Sequence, residues 1–145
     1  MQALPHHYTV SAKVEGNNNL ELSADNLPSI EAAAPTGFGG PGDVWSPEDL
    51  LMASVASCTI LSFKAIARAS KLEWESLNCV SEGTLERVER QTLFTKIVTK
   101  ATLTITNEEN REKAEKLLHK AEQTCLVSNS LTSESSIQCT ILVNN

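Results

Sequence analysis

The chain has 145 residues, 41% of them hydrophobic and 21% charged. Its length suits one domain spanning 1–145, which can bury a core without disulfides or metals. Twelve Lys plus Arg against eighteen Asp plus Glu leave a net charge of −6, and aromatic residues make only 4%. Those values exclude the basic, base-stacking surface that nucleic acid requires.

The N-terminal MQALPHHYTV has no basic stretch leading into an apolar one, so no signal peptide is expected. His7 to Glu15 alternates around Tyr8, Val10, Ala12 and Val14, the period of a half-buried strand. Gly16 to Asn19 reads as a turn, Leu20 to Ala24 as a second strand and Ser29 to Ala33 as a third. Pro35 to Asp43 holds four glycines and two prolines, which suggests a flexible lid or arm.

Ser46 then opens a helix. It can act as the cap, Pro47 fits the first helical position, and Asp49 completes an approximate capping box. The pattern carries the helix to about Ser70. Its body, Leu50 to Ala67, is apolar or small nearly all round, as in a helix buried on most sides. The longest uncharged run, Leu50 to Phe63, has fourteen residues, short of the roughly 20 that span a bilayer, so a core helix is expected and no membrane partner.

Glu75 to Glu89 and Thr92 to Thr106 read as two long strands joined at Glu89-Arg90-Gln91. Asn107 caps a second helix whose apolar face is Ala114, Leu117, Leu118, Ala121 and Cys125, ending at Ser128-Asn129-Ser130. Ile137, Cys139, Ile141 and Val143 mark a last strand. The order βββ-α-ββ-α-β implies an α+β fold, with antiparallel sheet and segregated helices.

The cysteines Cys58, Cys79, Cys125 and Cys139 are spaced 21, 46 and 14 apart, with no CxxC pair and no zinc pattern. An unexported chain of this kind is expected in the reducing cytoplasm, where no disulfide framework is implied. Cys79 and Cys139 fall in strand patterns and read as small buried hydrophobes. Cys58 and Cys125 fall on the two predicted core helices. They could form a dithiol, but pattern alone leaves their contact open.

Ser46-Pro47-Glu48-Asp49-Leu50-Leu51 followed by Ala53 to Cys58 resembles the first signature of the OsmC/Ohr family of thiol peroxidases. Cys125-Leu126-Val127-Ser128-Asn129-Ser130-Leu131 resembles its second. The resemblance implies a single OsmC-like domain over 1–145, with antiparallel sheets wrapped around two central helices in an intertwined homodimer. It implies an organic hydroperoxide reductase, serving the oxidative stress response, in which Cys58 attacks the peroxide, becomes a sulfenic acid and is resolved by Cys125. No bound cofactor or metal is implied. The reductant would be an external dithiol of the dihydrolipoamide type, on a protein or lipoyl group.

Glu48 belongs to the first signature, but on one straight helix ten residues span about 15 Å. If Glu48 serves the site, it comes most easily from a second copy of the chain. The family's peroxidases also carry an N-terminal arginine that lowers the thiol pKa. Here Arg68, Arg87, Arg90 and Arg111 all follow Cys58, leaving Lys13, His6 and His7 as substitutes. The alternative reading is a non-peroxidase homodimer of the same fold, binding a small apolar ligand at the subunit interface.

Overall fold

The structure, a computed structural model, describes residues 1–145. The chain divides into two compact units, Met1–Leu50 and Leu51–Asn145.

The first unit is built on an antiparallel meander of β1 (Ser11–Lys13), β2 (Leu20–Ser23) and β3 (Ile30–Ala32). Ser11 faces Ser23 and Leu22 faces Ile30. The first strand is shorter than its alternation suggests, and it is not half-buried. Tyr8, Val10 and Val14 are 87%, 69% and 53% exposed. Alternation marks a strand face only where a second layer covers it, and none covers this one.

The Gly/Pro-rich loop contains a hydrogen-bonded turn. Thr36–Phe38 forms one 3-10 turn, closed by Gly39 N–H to the Thr36 carbonyl and Gly40 N–H to the Pro35 carbonyl, both 3.0 Å. A Cβ on Gly40 would collide with the Ala34 carbonyl oxygen, so only glycine allows this close approach. The Ala33 N–H then donates to the Trp45 carbonyl at 2.9 Å, tying the end of the loop to β3.

The capping box forms as its residues suggest. Asp49 N–H donates to Ser46 Oγ at 3.0 Å, while Ser46 N–H and Oγ–H donate to Asp49 Oδ2 at 3.0 and 2.9 Å. These contacts satisfy donors that a helix start leaves unpaired. Ser46→Ala is expected to destabilise the fold by about 1–2 kcal/mol, seen as a lower urea midpoint, and Ser46→Asp to retain most of that stability.

Helix α1 (Pro47–Ala69) buries only Val55, Thr59, Phe63 and Ala67, a single stripe four residues apart. The expectation of burial on most sides therefore fails within one chain. Leu61 on the uncovered side is 63% exposed. By length and composition α1 is long and apolar enough to cross a membrane. Its C-terminus ends in a Schellman motif, with Leu72 N–H bonded to the Ala67 carbonyl and Lys71 N–H to that of Arg68. Lys71 takes the left-handed conformation there, at φ 57°. Glycine usually marks this turn, and its absence hides the motif in the sequence.

In the second unit, β4 (Trp74–Val88) and β5 (Gln91–Ile105) form a long antiparallel hairpin. Its two turn residues, Glu89 and Arg90, both have positive φ, 49° and 72°. Such turns match the right-handed twist of the strands they join. Strand β6 (Glu134–Val143) lies parallel to β5, in register from Lys96↔Glu134 to Ile105↔Val143. The expected wholly antiparallel arrangement is thus corrected to a mixed sheet. Helix α2 (Arg111–Gln123) carries the chain back to the start of β5, so β6 must run the same way.

The core lies between that sheet and the helices. Ile97, Ala101, Leu103 and Ile105 of β5 are buried, with Phe63, Ala67, Ala114, Leu118, Ala121 and Ile141. Phe63 packs edge-on against Trp74, ring centroids 5.4 Å apart.

The second predicted helix is three pieces. Asn107 caps a 3-10 turn by accepting from Glu109 N–H at 2.9 Å, and α2 follows it. Helix α2 stops at Gln123, where the Thr124 hydroxyl bonds back to the Lys120 carbonyl at 2.9 Å. Cys125 is extended, at φ −65° and ψ 110°, and begins the short helix α3 (Leu126–Asn129). Cys125 therefore sits at a break between helices, not on the face of a long one.

Candidate active site

Cys58 and Cys125 come together as a reduced pair, although 67 residues separate them. Cys58 stands on α1 one residue before the buried Thr59. Cys125 stands at the α2–α3 break and is 0% exposed, while Cys58 is partly open to solvent.

The surroundings of the two sulfurs differ. Burial pushes the Cys58 thiol up, the backbone N–H groups of Val127 and Leu126 pull it down, and the neighbouring Cys125 raises it by hydrogen bonding and charge. The net direction is upward. Burial also raises Cys125. However, the Ser128 hydroxyl and N–H, the Cys58 thiol and the Thr59 hydroxyl outweigh it, and Cys125 falls below the ordinary thiol value. The Ser128 contact is the one with full hydrogen-bond geometry, Oγ donating to Cys125 Sγ at 3.4 Å. A second thiolate beside the first would be repelled, so the two protons leave in separate steps, the first mainly from Cys125.

Glu48 is not brought to this pair. It is the second residue of α1 and Cys58 the twelfth, about 15 Å along the axis. Its Oε1 is buried with no hydrogen-bond partner. Two of the three residues proposed as substitutes for an arginine have other partners. Lys13 forms an exposed ion pair with Glu21 at 3.8 Å. His6 contacts the Tyr8 hydroxyl at 3.1 Å and the Gln2 carbonyl at 2.9 Å. His7 is exposed.

Cys79 and Cys139 lie on the same sheet face, flanking Ala101 on either side. Both pack against the core partly buried, as small hydrophobes do. Two strand spacings put their backbones about 9–10 Å apart, too far for a disulfide. Burial pushes each thiol from 9.0 up to about 11. Between those values the unfolded chain loses a proton that the folded chain keeps, so stability falls as pH rises. The expected loss is at most about 1.4 kcal/mol per thiol per pH unit. Urea midpoints measured from pH 8.5 to 11 should show it, with a smaller slope in the Cys79→Ala/Cys139→Ala variant.

Ser128 and Thr59 escaped the reading of the sequence as site residues, although Ser128 lies within the quoted second signature. What hid them is that a serine in a helical segment reads as a polar position until the fold sets a sulfur beside it. A cleft of about 230 Å³ is lined by Leu51, Leu93, Phe94, Leu131, Thr132 and Ser133, apolar walls with a hydroxyl rim.

Fold and site together define an α+β protein with an asymmetric pair of thiols, one partly exposed and one buried. The chain belongs to the OsmC-like protein family, whose pattern it matches over residues 40–140. It is 27% identical over 138 residues to the uncharacterized protein YmaD of Bacillus subtilis, covering 92% of this chain and 91% of that one. Among solved structures, an OsmC-like protein of unknown function from Vibrio cholerae superposes with a TM-score of 0.85 at 20% identity, over 93% of this chain and 99% of that one. An organic hydroperoxide resistance protein OsmC from Legionella pneumophila superposes with a TM-score of 0.74 at 27% identity, over 96% and 100%.

Proposed function

We propose that this protein is a thiol peroxidase that reduces organic hydroperoxides through Cys58 and Cys125. The observation that carries the reading is the meeting of a partly exposed thiol with a buried, more acidic one. The Cys58 thiolate attacks the terminal peroxide oxygen, the O–O bond breaks, and the alkoxide leaves as an alcohol after taking a proton. Cys58 is then a sulfenic acid. Cys125 attacks its sulfur, hydroxide leaves as water, and a Cys58–Cys125 disulfide remains. An external dithiol returns both sulfurs to the reduced state. The likeness to the organic hydroperoxide resistance protein of Legionella pneumophila supports the choice of substrate class.

The protein acts as a homodimer in this reading. The uncovered apolar sides of α1 supply a surface for a second copy, and Glu48 serves the thiols of that copy rather than its own. The cycle needs a reducing compartment, which the cytoplasm provides.

The test is one equivalent of cumene hydroperoxide added to the reduced protein. A disulfide linking Cys58 to Cys125 should appear by peptide mass, with sustained turnover when dihydrolipoamide is supplied. No hydroperoxide consumption by the wild type would overturn the reading. The upward shift of Cys58, with no cation among the groups that act most on it, favours a second reading. In that reading the fold binds a small apolar ligand between subunits without redox chemistry. Ligand-induced thermal stabilisation that persists in Cys58→Ser, with no peroxide consumption by the wild type, would select it.

A further inference from the structure

The dithiol is unequal in its donors as well as its exposure. Ser128 is buried, at 6% exposure, and its hydroxyl donates to Cys125 Sγ at 3.4 Å. Thr59 is buried, at 1%, and its hydroxyl donates to the Val55 carbonyl at 2.9 Å. The same hydroxyl is among the groups that pull the Cys125 thiol down. It carries one proton, held by the carbonyl in the resting dithiol and available to the sulfur once that sulfur is charged. Beside Cys58 the acting groups are two backbone N–H groups and the other thiol, with no side-chain hydroxyl among them.

Thiol–disulfide exchange has two choices, which sulfur is attacked and which leaves. Access decides the first, and the leaving thiol's acidity favours the second. Here both point the same way, because Cys58 is the open sulfur and Cys125 the closed, hydroxyl-bonded one.

We propose that Ser128 is a positioning residue that makes Cys125 the leaving sulfur of the disulfide, so that an incoming thiol reductant attacks Sγ of Cys58. This rests on the disulfide of the proposed function. The reductant is a dithiol. One of its thiolates forms a bond to Cys58 Sγ as the Cys58–Cys125 bond breaks, and the electron pair of that bond passes to Cys125. The Ser128 O–H, with Thr59 O–H beside it, bonds the resulting thiolate. The second thiol of the reductant, deprotonated, then attacks its own partner sulfur in the mixed disulfide. Cys58 leaves with the electron pair and takes up a proton. Two electrons have passed to the protein, and the reductant is left as its own disulfide.

The test uses the full chain, with the disulfide made by diamide so that it does not depend on peroxidase activity. Failure of diamide to form it overturns this proposal and the peroxidase reading together. Formation by diamide but not by hydroperoxide overturns the peroxidase reading alone, and the exchange test proceeds. The oxidised wild type is treated with a monothiol, N-acetylcysteine, quenched with iodoacetamide and mapped by peptide mass. The adduct is expected on Cys58 and the carbamidomethyl group on Cys125. An adduct mainly on Cys125 overturns the proposal, and this readout needs no variant to fold.

In Ser128→Ala, exchange with dihydrolipoamide should slow roughly tenfold, the effect of losing a hydrogen bond to a charged group, and Ser128→Thr should restore it. In a Cys58→Ala background the thiolate absorbance of Cys125 should appear at higher pH in Ser128→Ala and return with Ser128→Thr. An unchanged rate and an unchanged titration in Ser128→Ala would overturn the role of Ser128.

Discussion

Cys58→Ser is expected to abolish hydroperoxide reduction, lowering turnover of cumene hydroperoxide with dihydrolipoamide by at least about 10³-fold. A hydroxyl in place of the thiol neither ionises near neutral pH nor forms a sulfenic acid. The loss should be one of chemistry, with the urea midpoint close to that of the wild type, because Cys58 is only partly buried and serine is nearly its size. Cys125→Ser should differ in kind. It should still react once with peroxide, stop at the sulfenic acid and show no sustained turnover with the dithiol.

The single-turnover rate of Cys125→Ser should climb with pH from 7 to 9 without a plateau below 8. Burial is the largest cause of the raised Cys58 pKa, and it remains when the second thiol is removed. Cys79→Ser/Cys139→Ser should keep full activity, since those thiols are pushed up to about 11 and lie on the sheet beside Ala101. Retention of turnover in Cys58→Ser would show that the chemistry belongs to another group.

Phe63→Ala is expected to cost about 3–5 kcal/mol of stability, the range for a buried aromatic truncated in a core. Phe63 is 0% exposed and belongs to the cluster that holds Leu103, Ile105, Leu118 and Ile141. It also holds Trp74 edge-to-face at 5.4 Å, a contact worth about 0.5–1.5 kcal/mol in itself. Phe63 lies one turn beyond Thr59 on the only buried stripe of α1, so the cavity would loosen the helix that presents Cys58. Activity should therefore fall along with the urea midpoint. Phe63→Leu, which fills most of the space, should lose less than half as much. A midpoint unchanged in Phe63→Ala would mean that α1 is held by something other than this stripe.

Much of the fold was legible in local pattern. The capping residues Ser46, Pro47 and Asp49 place the start of α1 to the residue. Gly16 to Asn19 and Glu89-Arg90 sit at the turns they suggest. Alternation locates β4, β5 and β6 within a residue or two, apart from the start of β6 at Glu134. These signals are local because capping, turn formation and strand periodicity involve neighbours a few positions apart. The two signatures likewise pick out Cys58 and Cys125 from four cysteines.

The misreadings share a different cause. The parallel pairing of β6 with β5 depends on where α2 returns the chain, and no local pattern carries that. Cys125 reads as one more apolar position of a helix because Thr124 and the backbone break beside it leave no mark in the spacing. Helix α1 reads as buried all round, yet its chain covers one stripe of it. By itself, the sequence determined most of the elements and the cap of α1, since these follow from residue type and short-range geometry, while Cys58 and Cys125 were singled out only by the resemblance to a family. Only the tertiary structure decided that the two thiols meet, and that the Ser128 hydroxyl bonds Cys125. A sulfur's acidity and access depend on groups that the fold brings from positions far apart in the chain.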